Sequence, residues 1–137
     1  MKRSLRSVVL LLVVGLPSLV TAELEYEEKE RATHVVSGTV EKVFSRSSGD
    51  YIEHVALVRI ETKHRGEFPQ HQQHMYVYSF DLKPGVTLSE PGPSGHKSPP
   101  AEGANVKVWA IYRTGEMYGL YPDWFEIIPK KEKDPKE

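Results

Sequence analysis

The sequence predicts an all-β domain, a small five-stranded barrel that follows an N-terminal export signal. Three observations carry that expectation. Between residues 34 and 128 the apolar residues recur with period two, as where Ala56, Val58 and Ile60 alternate with Leu57, Arg59 and Glu61. Such alternation marks strands with one buried face. Clusters of Gly, Pro, Ser and Asp punctuate the apolar runs at strand-length intervals, as turns between strands require. The 137 residues include no cysteine, so an exported domain must hold together by apolar burial alone.

The export signal is read first. Lys2, Arg3 and Arg6 precede an apolar run over residues 8–16; Pro17 breaks it, and Val20-Thr21-Ala22 follows. This charged, apolar and small-residue succession predicts a signal peptide over residues 1–22, cleaved after Ala22, and a periplasmic or secreted product. The alternative is an uncleaved anchor, but residues 8–22 are fewer than the about 20 that span a bilayer. Without cysteine there is no thiol to carry a lipid and no disulfide framework. Cleavage leaves a length suited to one domain with one core. It lowers Lys plus Arg from 18 to 15 against 19 Asp plus Glu, a net charge of −4. That balance argues against a nucleic-acid partner, whose phosphates need cations.

Residues 23–33 form a charged leader (ELEYEEKER, then Ala-Thr), read as a solvated connection to the domain. A first strand is predicted over residues 35–45, with Gly38 at a bulge or close contact. Ser47-Ser48-Gly49-Asp50 make a turn. The second strand covers residues 51–63 and the third 75–80, where Tyr76, Tyr78 and Phe80 share one side and Met75, Val77 and Ser79 the other. Residues 81–105 then interrupt the pattern. Nine of these 25 residues are Pro or Gly, which leaves no room for a regular strand or long helix. Strands four and five follow at residues 106–113 and 116–121 around Thr114-Gly115, and residues 124–128 close the domain. Residues 129–137 are a charged tail.

Three consecutive strands, a long insertion, then Gly103, Val106 and Val108 leading into Ala110 and Tyr112, with a long bent first strand, resemble the OB fold. The resemblance covers most of residues 34–128 and implies a partly open five-stranded Greek-key barrel. It departs from the usual form because the connection from strand three to strand four carries no amphipathic helix. An SH3-like barrel or a small sandwich gives similar alternation. The resemblance is to a fold and fixes no function.

Two residue sets invite a functional reading. Tyr76 and Tyr78, two apart on one strand, project from the same face, and Arg59 and Trp109 would join them if Val58 and Val77 point inward. OB folds bind along the face of strands two and three, and tyrosine and tryptophan planes suit sugars and peptide side chains. The competing reading makes Tyr76, Tyr78 and Phe80 the barrel core. The second set is His64, His71 and His74, within HRGEFPQHQQH beside Glu67, as ligands for a divalent transition metal. Against it, three-residue spacing aligns side chains on a helix and not on a strand. Scattered carboxylates and serines without a nucleophile-elbow context argue against catalysis. The loop of residues 81–105 is either a docking segment or a tolerated surface insertion.

The functional expectation is therefore an exported, non-enzymatic binding or interaction module for a peptide, protein or oligosaccharide, with no stable membrane span after cleavage. A metal-binding protein or metal-dependent enzyme built on the histidine loop, and a structural component of an envelope assembly, are the alternatives.

Overall fold

The computed structural model describes residues 23–88 and 92–130. The expected export signal and the last seven residues of the tail lie outside the described residues. A single 3-10 turn, Lys29–Arg31, precedes six strands: β1 His34–Ser48, β2 Tyr51–Arg65, β3 His74–Leu82, β4 Asn105–Arg113, β5 Glu116–Gly119 and β6 Phe125–Ile127. β-branched and aromatic residues fill them, as a pleated, half-buried surface favours. β1 runs three residues beyond its expected end because Gly49-Asp50 alone make the turn and Ser48 pairs with Tyr51. Gly49 has φ +58° while Asp50 keeps a negative φ, the requirement of a type II′ hairpin turn with glycine first.

The strands close into a five-stranded barrel of mixed direction. β1 pairs antiparallel with β2 along its length, and β2 with β3. β3 meets β5 in parallel at Val77–Met117 and Tyr78–Tyr118. β5 returns antiparallel on β4, and β4 pairs with β1 from Ala110–His34 to Asn105–Thr39, completing the ring. β6 adds to β4 on the same edge as β5, beyond the end of that pairing, through Val106–Ile127 and Val108–Phe125. β1 can serve two neighbours because it bends: its register with β2 shifts at Val35/Val36, Ser37/Gly38 and Val40/Lys42, and bulges are how a strand coils. At Gly38 the approach is closest, for a Cβ there would lie 1.9 Å from the Arg59 carbonyl oxygen.

Inside the ring, Val36, Val40, Val58, Met75, Val77, Val106 and Val108 are fully buried, and Trp124 plugs one end together with Leu120. The Trp124 indole N–H reaches the Lys97 carbonyl at 2.8 Å, so its one polar atom is satisfied in the interior.

Two segments read as loose are pinned to the barrel. In the leader, the Glu27 N–H donates to the Tyr121 carbonyl at 2.8 Å, and the Glu27 carboxylate accepts from Arg113 at 2.5 Å and from the Tyr121 N–H at 3.2 Å. Ala32 is buried in the core. Most of the leader is exposed, as a solvated connection would be, while Glu27 and Ala32 tie it to the barrel end. β3 runs on through Leu82 and β4 begins at Asn105, so the expected interruption of residues 81–105 narrows to 83–104, whose described residues form no named strand or helix. Its second half is nevertheless held, with the His96 N–H on the Phe80 carbonyl, Lys97 N–H on Pro122 and Gly103 N–H on Val40.

His96 also extends the barrel seam. The β3–β5 ladder ends after two pairs, and the imidazole fills the gap beyond it. Nδ1 accepts from the Phe80 N–H at 3.2 Å, and Nε2 lies 2.9 Å from the Gly119 carbonyl, so Nε2 carries the proton. The ring is 9% exposed and packs edge-on against Phe80 and Tyr121, at 4.9 and 5.0 Å between centroids. Only the neutral tautomer satisfies both bonds, because a protonated ring has no acceptor for the Phe80 N–H. Burial pushes the His96 pKa down, although the Gly119 carbonyl and the Glu27 and Asp81 charges pull the other way.

Two outcomes follow for stability. Gly38→Ala forces β1 off β2 and lowers unfolding free energy by about 2–4 kcal/mol, read from urea midpoints. The unfolded chain takes up a proton on His96 below about pH 6.5, and the folded chain resists it. The contribution is complete above that pH and declines as pH falls toward the lower folded pKa, by at most about 1.4 kcal/mol per pH unit. His96→Gln is expected to be about 1–3 kcal/mol less stable at pH 7.5 and to show a shallower loss between pH 7 and 5. Equal slopes for the two proteins would contradict this role.

Candidate functional site

Strand alternation gives the barrel wall two faces, and pairing brings each face into register across four strands. Inward, Val43, Ala56, Val77 and Met117 follow one another across β1, β2, β3 and β5; outward, Phe44, Val55, Tyr78 and Tyr118 do the same. The Tyr78 and Tyr118 rings lie 5.9 Å apart. One step further along the strands Tyr51 meets Phe80 edge-on at 5.5 Å, and Phe80 stacks on Tyr121 at 6.0 Å. These residues floor a groove of about 1010 Å³ on the outside of the barrel, walled by Leu24, Glu27 and Arg31 of the leader. The β1–β2 turn and the β4–β5 turn border it through Ser48 and Glu116.

The polar groups of the groove are mostly engaged. Arg46 pairs with Glu53 at 2.6 Å and Arg113 with Glu27. The Tyr118 hydroxyl donates to Glu116 at 2.8 Å, a bond that raises its pKa. The Tyr121 hydroxyl bonds the Glu23 carboxylate, which also accepts the Ser94 N–H at 2.9 Å. Burial and that carboxylate raise the Tyr121 pKa, and the same phenol lowers that of Glu23. The phenols therefore stay neutral at ordinary pH and act as donors. The arrangement offers flat apolar area with paired charges at its margins.

Of the residues singled out from sequence, Tyr76 and Tyr78 do face outward, while Met75 and Val77 fill the interior. Tyr78 floors the groove. Tyr76, 54% exposed, lines a neighbouring depression with Phe68 and Tyr112. Arg59 and Trp109 do not join them. Arg59 lies between Glu41 and Glu61 at 3.6 and 3.8 Å. Trp109 is 7% exposed, beneath Lys29, whose ammonium sits 4.1 Å from its ring centroid. The leader covers that part of β4, which strand alternation alone left open to solvent.

The histidines are dispersed as well. His64 bonds Ser37 at 2.7 Å, His74 bonds Glu41 at 3.2 Å, and His71 is exposed in the turn with φ 71°. Among the described residues no three His, Asp or Glu side chains converge as metal ligands would.

Sequence reasoning missed Phe44, Tyr51, Val55, Tyr118 and Tyr121. A signal for the first three was present: a two-residue turn at Gly49-Asp50 sets Phe44 opposite Val55 by counting. The parallel contact that carries Tyr118 to Tyr78 has no such local mark. No family model, curated protein or solved structure matches the chain.

Proposed function

We propose that the chain is an exported binding module of the periplasm or extracellular space that holds an extended peptide or oligosaccharide against the Tyr78–Tyr118 groove. The observation that carries this reading is the outward row of Phe44, Val55, Tyr78 and Tyr118, large apolar side chains in register on a wall that faces solvent. Its ring order, β1-β2-β3-β5-β4 and back to β1, supports an OB-like assignment for the barrel. In OB folds the face of strands two and three, with the first and fourth connections, receives oligomeric ligands. The groove occupies that same ground, from Ser48 and Tyr51 across Val55 and Tyr78 to Arg113 and Glu116. The acidic balance of the processed chain favours a sugar or peptide over a nucleic acid.

The test uses arrays of immobilised oligosaccharides and of peptides about ten residues long. Tyr78→Ala combined with Tyr118→Ala is expected to weaken the wild-type hits by about 10–100-fold while moving the unfolding midpoint by about 5 °C or less. Capture of the same hits at the same affinity by both proteins would overturn the reading.

A further inference from the structure

A second polar cluster lies where the β1–β2 hairpin runs past the end of β4. Ser45 and His54 are directly opposite across the hairpin, and the Ser45 hydroxyl is 2.7 Å from His54 Nδ1. The other nitrogen, Nε2, is 2.8 Å from Asp81 Oδ1 on β3. Asp81 Oδ2 in turn accepts from the Ser98 hydroxyl at 2.6 Å. His54 and Asp81 are sheltered, with side chains 11% and 18% exposed, while Ser45 is exposed. A carboxylate can only accept, so it fixes the proton on Nε2 and leaves the Nδ1 lone pair aimed at the serine hydroxyl.

That is the arrangement of an activated nucleophile: hydroxyl, base, and a third group that orients the base. The nitrogens are used in the opposite sense to Ser-His-Asp hydrolases, where Nε2 faces the serine. Either nitrogen is a competent base once the other is held by a carboxylate. The backbone supplies a further element. β1 pairs with β4 only as far as Thr39, and the Val43 N–H points away from β2 to Glu102 Oε1 at 3.1 Å. By the period of two, the Ser45 N–H points to the same open edge. Serine hydrolases use the N–H of the nucleophile itself as an oxyanion donor. Ser45 also belongs to the lining of the aromatic groove.

We propose that Ser45 is a reactive nucleophile, served by His54 and Asp81, that cleaves carboxylic esters of small acyl groups. Ser45 Oγ attacks the ester carbonyl carbon and its proton passes to His54 Nδ1. The Ser45 N–H faces the oxyanion, the C–O bond breaks, and the leaving alcohol takes the proton from His54. Water then adds to the acyl-serine as His54 Nδ1 accepts its proton, and the C–O bond to Ser45 breaks while His54 returns that proton to Ser45 Oγ, which releases the carboxylic acid and restores the hydroxyl. His54 is the general base and Asp81 its positioning residue. The inference stands apart from the identity of the groove's ligand.

The experiment labels the purified chain with a fluorophosphonate, which phosphonylates an activated serine and releases fluoride, and maps the adduct by mass spectrometry of peptides. Ser47 and Ser48, exposed on the same strand, serve as internal controls. The expected adduct is on Ser45, and Ser45→Ala removes both it and turnover of 4-nitrophenyl acetate. Asp81→Asn and His54→Gln slow labelling by about 100-fold, and the rise of the labelling rate with pH disappears in His54→Gln. Equal labelling of Ser45, Ser47 and Ser48 in the wild-type chain would overturn the proposal, and so would unchanged Ser45 labelling in His54→Gln. The wild-type comparison of the three serines decides the matter even where a variant does not fold.

Discussion

The seam between β3 and β5 is where the barrel closes, and two parallel residue pairs hold it. An open sheet would leave β3 and β5 with unpaired edges and the valine core exposed to water. His96 lengthens the seam by imitating a peptide group, with an acceptor toward the Phe80 N–H and a donor toward the Gly119 carbonyl. Its backbone N–H bonds the Phe80 carbonyl as well. One residue of an irregular loop thus makes two bonds to β3 at Phe80 and one to β5 at Gly119. The bond from the Phe80 N–H needs an uncharged ring, and packing between Phe80 and Tyr121 favours that form by excluding water.

From this closure follows the placing of the charged leader. Tyr121, just beyond β5, presents its N–H, carbonyl and hydroxyl toward residues 23–27, and the carboxylates of Glu23 and Glu27 take the donors. Arg113 completes the neutralisation of Glu27. Acidic residues that look like a solvated tail in isolation become a wall once a barrel end offers donors. The leader therefore does two things at once. It covers Trp109 with Lys29, and it encloses one side of the aromatic groove.

The hairpin arm shows how a single strand pair serves two chemistries. On its outer face Phe44 and Val55 extend the groove; on the other face Ser45 and His54 meet Asp81 and Ser98. The same alternation that buries Val43 and Ala56 near the barrel brings polar side chains together once the arm passes the end of the core. The loop of residues 81–105 joins both chemistries, since the Pro93 carbonyl accepts from the Tyr51 hydroxyl and Ser98 bonds Asp81.

What the sequence determined by itself was local: period-two alternation marked the strands and which residues share a face, and Pro and Gly marked the long interruption. Tyr76 and Tyr78 were legible as a same-face pair because adjacent alternation needs no partner strand. Their outward direction was decided by tertiary structure, since Met75 and Val77 on the other side fit a core as narrow as a five-stranded ring. The meeting of Tyr78 with Tyr118 depends on a parallel contact that spans forty residues of chain and leaves no periodic trace. His96 reads as one more loop histidine until the strands on either side of it are in place. Ser45, His54 and Asp81 sit nine and twenty-seven residues apart, a spacing that carries no motif. Only hydrogen-bonded strand register turns such distances into contacts of less than 3 Å.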